Sequence, residues 1–174
     1  MISNPRRHDA MKPTSKPLLL ACAIAIAIAI AIATAGAAFA QQAPRPENLI
    51  KWRQSAFQVV AWNSGRIKAS LDGAYNKDQV LRSASVIAAI ANSGLGSLFP
   101  AGTDTGKGWH DTTVTPHAFT NTARFAELGG EFAKESNDLV RVVSGGADAA
   151  AVKEQFGKLQ KTCKSCHDDF RNAL

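Results

Sequence analysis

Sulfur-bearing residues are almost missing from this chain. Its 174 residues include three cysteines and two methionines. Met1, Met11 and Cys22 all fall within the first forty positions. The two remaining cysteines, Cys163 and Cys166, are too few for a disulfide framework or for a zinc site with four cysteine ligands. A thioredoxin-like redox pair belongs near a strand–helix junction, and no strand-patterned run precedes Cys163. Charge of one sign is scarce too. Four of the 20 basic residues and one of the 14 acidic ones lie in the first forty positions, which leaves 16 against 13, a net of +3. The whole-chain value of +6 therefore overstates the basicity of the rest. The basic residues are dispersed along helices, so nothing argues for nucleic acid. No internal repeat and no second domain can be discerned.

Long apolar runs are confined to one place. Leu18 to Ala33 is apolar and mostly alternates Ala with Ile. Arg6, Arg7, Lys12 and Lys16 precede it, and Ala38-Phe39-Ala40 follows as a small-x-small pattern before Gln41. That order reads as a signal peptide over residues 1–40, removed on export. The rival reading is a retained membrane anchor, because the run is long enough to span; the cleavage pattern decides between them. Met11 is a plausible start, since Met11 to Ala40 already holds a complete signal. Cleavage leaves one domain, 41–174, of 134 residues, enough to bury a real core. The implied compartment is the bacterial periplasm, with no membrane contact after cleavage.

Four amphipathic stretches follow. The first runs from Pro46 to Leu71, with Leu49, Ala56, Val60, Ile67 and Leu71 at helical steps, and Gly73 ends it. The second runs from Asp78, as N-cap, to Asn92, with Leu81, Ala84, Ile87, Ala88 and Ala91 inward. A loop from Gly94 to Thr115 is rich in Gly, Thr and Asp, and loops of that length usually act on something or cover something. The third helix is expected to start at Thr115 with Pro116 in its first turn, to carry Phe119, Ala123, Ala126, Phe132, Leu139 and Val143, and to stop at Gly145-Gly146. Asp148 caps the fourth, whose stripe is Val152, Phe156, Leu159, Cys163, Cys166 and Phe170. The fold class is all-α: an antiparallel four-helix bundle with one longer loop between helices two and three.

The stripe runs through CKSCH, Cys163 to His167. Two cysteines three apart, followed at once by histidine, are what covalent haem attachment requires. The thiols add to the haem vinyl groups and the imidazole ligates iron. On a helix Cys163 and Cys166 share a face, and His167 lies one turn from Cys163. Because the cysteines are in line with core residues, the motif faces the bundle interior. The cofactor read from it is haem c, one per chain, covalently held by Cys163 and Cys166, with His167 as metal ligand.

A CxxCH motif on the last helix of an exported bundle resembles the cytochrome c′ family. RPENLIKWRQSAF (Arg45 to Phe57), LFPAGTD (Leu98 to Asp104) and CKSCHDDFR (Cys163 to Arg171) look like that family's first helix, loop and haem site. The resemblance covers about 45–174. It implies a homodimeric, periplasmic haem protein whose iron has one protein ligand. It also implies that Arg53 and Gln54 contact the haem and its propionates, that Phe57 lies above the open iron face, and that Arg171 stands on the proximal side. Phe57, Arg53 and Gln54 share one helix face, which agrees with this. The competing readings are a solvated Arg53, a Phe57 that is plain core, and an Arg171 that complements the helix dipole. Some family members carry a tryptophan shortly before the loop's Phe-Pro, and Gly94 to Leu98 has none.

Low-spin relatives on this bundle use a methionine from helix one, and the chain has none beyond Met11. His110, in the loop, and His117, in the first turn of helix three, are expected to be exposed and not to reach the iron. The iron is then five-coordinate under Phe57, open to small neutral ligands such as NO and CO. Bound O2 gains from a hydrogen-bond donor, which Phe57 lacks. The expected function is gas binding, in nitric oxide binding or protection, with electron transfer to an unknown redox partner as the alternative. No distal His-Arg pair is evident for peroxidase-type acid–base work, so no enzyme is expected. Trp52, Val59 and Trp62 lie partly off the core stripe, where they could form the homodimer interface or simply flank the core.

Overall fold

Pro46 opens the first long helix, where its missing N–H costs nothing and its φ already suits the turn. The structure, a computed structural model, describes residues 44–172. The expected signal peptide lies outside the described residues. Helix α1 is Pro46–Asp72, α2 is Lys77–Ala91, α3 is the short His117–Thr120, α4 is Thr122–Ser144 and α5 is Ala149–Phe170, with a 3-10 turn at Leu95–Leu98. No helix among the described residues is long and apolar enough to cross a membrane.

Each long helix packs on its neighbour in the chain: α1 on α2, α2 on α4, α4 on α5. The links from Gly73 to Asn76 and from Gly145 to Asp148 are too short for anything but antiparallel pairs. The result is the all-α four-helix bundle that the periodicity implies, with its long connection between α2 and α4. One core joins all four long helices through Val60 and Ile67, Val80, Ala84 and Ile87, Leu139 and Val143, and Val152, Phe156 and Leu159. Fully burying each such aliphatic side chain is worth roughly 1.5–3 kcal/mol. A second, smaller cluster forms where α5 ends. It joins Ala118, Leu128 and Phe170, with Val114, Phe119, Phe125 and Cys166 packed against it.

Local chemistry explains the departures from the sequence reading. Asn76, not Asp78, caps α2, its side chain accepting from the Gln79 N–H at 2.9 Å; Asp78 instead sits in the first turn. The third stretch is not one helix. Thr115 makes no side-chain cap, and the chain breaks at Asn121 (φ −104°, ψ 60°), whose side chain then caps α4. The break resets the helical phase, so Ala123 and Ala126 are exposed and the inward row is Phe125, Leu128, Phe132, Ser136, Leu139 and Val143. On α1 the buried line is Ile50, Arg53, Val60, Asn63, Ile67 and Ser70, with Leu49, Ala56 and Leu71 flanking it. Three polar residues on that line hid its true centre. Asn63 satisfies itself on the Val59 carbonyl at 2.9 Å, and Ser70 accepts from the Asn76 N–H at 2.8 Å.

Candidate haem site

The Asp148 side chain starts α5 by accepting from the Ala151 N–H at 2.9 Å. Packing of its apolar stripe on the other helices then sets which face turns inward. Val152, Phe156, Leu159 and Phe170 point into the bundle and are buried. Cys163 and Cys166 lie on the same line and are half-buried, as the stripe predicts. The Cys163 Sγ lies 3.6 Å from the Leu159 carbonyl. Burial pushes both thiols above the usual cysteine range. His167, beside them, is exposed. Partial desolvation, and then the nearby Arg171 charge, push its pKa below the usual range, with Asp168 opposing. A neutral imidazole keeps a ring nitrogen free to ligate a metal.

A row of rings links α1, the loop, α4 and α5. Phe57 of α1 meets Phe99 at 6.5 Å between centroids. Phe99 meets Phe125 of α4 at 5.0 Å, and Phe125 meets Phe170 of α5 at 5.4 Å. His117 of α3 closes the row on Phe170 at 5.5 Å. Cys166 packs into the same cluster. The site therefore offers two thiols on one helical face, an apolar aromatic wall and an adjacent neutral imidazole.

The long connection is bound at both sides of this wall. Arg53 is 2% exposed, so the solvated reading is wrong. Its Nη1 donates to the Leu98 carbonyl at 3.2 Å and to Thr103 Oγ1 at 2.9 Å. Its Nη2 donates to the Thr103 carbonyl at 2.5 Å and to Thr112 Oγ1 at 2.7 Å. Burial pushes the guanidinium below its usual value, with Asp104 opposing. Gln54 uses both ends of its amide: Oε1 accepts from the Trp109 N–H at 2.7 Å and Nε2 donates to the His110 carbonyl at 3.0 Å. The Trp109 indole N–H reaches Ser55 Oγ at 2.8 Å. At its far end the connection joins the end of α5, through Thr115 N–H to the Phe170 carbonyl (2.9 Å) and Asn172 N–H to the Thr113 carbonyl (2.8 Å). A single segment thus ties α1 to the turn just beyond His167.

The other expected residues fall as follows. Phe57 is 39% exposed and is not plain core. Arg171 is exposed and follows α5 as its C-cap, its backbone N–H bonded to the His167 carbonyl and its strand-like bridge made with Val114. His110 is exposed against Gln54, and His117 is exposed against Phe170. The sequence pattern does not single out Phe99, Thr103, Thr112 or Phe125. A composition rich in Gly and Thr signals a loop, but not which of its residues turn inward.

These residues fit a haem. Its flat apolar body suits the aromatic wall, and the half-buried thiols suit covalent attachment at its rim. Among the described residues no three His, Cys, Asp or Glu side chains gather into a metal-binding cluster. The groove between α4 and α5, lined by Glu131, Lys134, Glu135 and Lys161, is charged and suits no such group.

Comparison with known proteins agrees. The family model described as Cytochrome C′ matches residues 48–171. The chain is 59% identical to a cytochrome c′ of Rhodocyclus tenuis, over 73% of this chain and 96% of the relative. It is 44% identical to a cytochrome c′ of Allochromatium vinosum, over 72% and 81%. It also resembles the solved structure of a cytochrome c′ with ligand-controlled dimer dissociation (TM-score 0.71, 43% identity, 75% of this chain and 98% of the other). A nitric oxide complex of a cytochrome c prime variant from Alcaligenes xylosoxidans is similar as well (TM-score 0.66, 25% identity, 75% and 98%).

Proposed function

Since the chain belongs to the cytochrome c′ family, whose members carry covalently attached haem c, we propose that it is an exported, homodimeric protein that binds nitric oxide and carbon monoxide at a five-coordinate iron. The family is a haem ligand-binding or electron-transfer kind of protein, not a classical enzyme. In this reading Cys163 and Cys166 form the two thioethers, and His167 is the one protein ligand. When bound, the haem supplies an iron that takes small neutral diatomics. Protein side chains decide which of them enter, and how easily.

Phe57 carries the reading. It is an apolar ring, 39% exposed, on the helix that faces the aromatic wall, and it offers no hydrogen-bond donor. A ring over the open face must be displaced before a diatomic binds, so part of the binding free energy goes into moving it. The absence of methionine beyond Met11 supports the vacancy. Arg53 and Gln54 then hold the loop that frames this face, and Arg171 supplies positive charge on the proximal side. Nitric oxide handling is the physiological role this supports, and a relative solved as a nitric oxide complex is consistent with it.

The outer face of α1 supports the dimer. Trp52, Val59 and Trp62 are 50%, 42% and 62% exposed, and the Arg66 guanidinium lies 4.9 Å from the Trp62 ring centroid. A second copy would cover these rings. Export predicts a mature chain beginning at Gln41, which intact mass spectrometry of periplasmic protein would test.

Electron paramagnetic resonance and absorption spectra of the purified holoprotein test the function. The expected result is a high-spin ferric iron and a ferrous form that binds CO, with faster association in Phe57→Ala. A purely low-spin ferric signal at neutral pH would overturn the vacancy and favour electron transfer.

A further inference from the structure

Phe57 has company that decides how easily it moves. Phe99, the ring that Phe57 meets, is held from several sides. Its backbone N–H donates to the Gly96 carbonyl at 3.1 Å, ending the 3-10 turn. Pro100 follows at once and disfavours the helical region for Phe99, whose backbone lies at φ −123°, ψ 53°. The Arg53 guanidinium lies 4.7 Å from its centroid, and Phe125 meets it at 5.0 Å and 60°. Arg53 in turn is fixed by its bonds to Leu98, Thr103 and Thr112. Phe57 lacks such restraint: it is part-exposed and meets Phe99 edge-on at 6.5 Å and 62°.

We propose that Phe99 is a positioning residue for gas binding: anchored by Arg53, it is the fixed ring against which Phe57 rests and from which an incoming ligand must separate it. This deepens the gating role given to Phe57 above and rests on it. Phe99 acts through Phe57, not on the ligand. The Arg53–Phe99 contact is therefore part of the barrier, although the guanidinium's hydrogen bonds all go to the loop. An edge-to-face aromatic pair lost on separation corresponds to roughly a two- to tenfold change in rate or affinity.

The test uses ferrous holoprotein in four forms: wild type, Phe57→Ala, Phe99→Leu and the double variant. Leucine keeps an apolar side chain at 99 but has no ring edge. CO association and equilibrium binding are measured by flash photolysis and titration. Phe99→Leu is expected to bind CO faster by roughly two- to tenfold, and to add nothing in the Phe57→Ala background. Phe99→Tyr, which keeps the ring, should restore the wild-type rate. Arg53→Lys should reproduce part of the Phe99→Leu effect, and it answers the same question should Phe99→Leu fail to fold. Melting temperatures of the four proteins give a readout independent of gas, and the two single losses should not add. If Phe57→Ala itself leaves CO binding unchanged, the gate reading fails and this inference with it. A fast Phe57→Ala beside a wild-type Phe99→Leu overturns the Phe99 role alone. Additive effects of the two substitutions, in rate or in melting, would also overturn it.

Discussion

Replacing Arg53 by methionine should loosen the haem end of the bundle more than any surface change. Methionine keeps most of the volume and loses four hydrogen bonds. The Leu98 and Thr103 carbonyls, which accept at 3.2 and 2.5 Å, would be left without their donor. An orphaned buried acceptor costs about 1–3 kcal/mol. The stacking on Phe99 at 4.7 Å adds about 0.5–2 kcal/mol. Set against this is the relief of desolvating a guanidinium, the same burial that pushes its pKa down. The balance is a loss of about 3 kcal/mol, since the several contacts do not add fully. In a domain of this size that corresponds to a fall of roughly 10 °C in melting temperature. The loss should be local. Amide exchange should speed up at Thr103 and at the Trp109 N–H that bonds Gln54, while the Ile67–Ile87–Leu139 core keeps its protection. Thermal unfolding and hydrogen exchange on the holoprotein measure both. A loss below about 1 kcal/mol, or exchange that rises evenly over the whole bundle, would refute the clamp.

Gly108 should tolerate no side chain: a Cβ there would meet Gln54 Oε1, the Lys51 nitrogen at 2.8 Å and Ile50 Cγ2 at 2.9 Å. Gly108→Ala should therefore detach the loop from α1 and cost about 1–3 kcal/mol in urea unfolding. Gly129→Ala and Gly130→Ala should have the opposite sign, because a Cβ at either mid-helix position meets nothing within 4 Å; each should gain about 0.5–1 kcal/mol by the same assay. Acid should destabilise the bundle. Asp72, beside Lys68 and then Lys153, Glu135, beside Lys134 and then Gln155, and Asp138, beside Arg141 and then Lys134, are all held below the usual carboxylate range. Their folded pKa values lie below the unfolded ones, so this stability is present above the unfolded carboxylate range and is lost as pH falls through the folded values. Melting temperature should be flat from neutral pH to about 5 and fall below about 4, and added salt should blunt the effect because these pairs are exposed.

Much of this molecule is legible in local pattern. Apolar residues three and four apart mark the long helices because the helical period itself brings them to one face. Asp148 reads as a cap because it needs only the Ala151 N–H three residues on. The alignment of Cys163 and Cys166 with Leu159 and Phe170 follows from the same arithmetic, so the face of α5 proposed to hold the haem is readable from the spacing of its residues. The break at Asn121 is harder to see, since it competes with a helical pattern that continues on both sides. Local pattern says least around Arg53. Its partners lie 45 to 59 positions away, in a segment with no period to betray which residues turn inward. Nothing local separates an arginine that caps a loop from one in solvent; burial decides, and burial is a property of what the loop packs against. The same holds for Phe99 and Phe125, which become one wall only when α1, the loop and α4 meet. Short-range periodicity dictates the helices and the shared face of Cys163 and Cys166 because its contacts lie within one or two turns. The framing of the site is decided by the tertiary structure, because its contacts exist only after distant segments have paid the entropy of coming together.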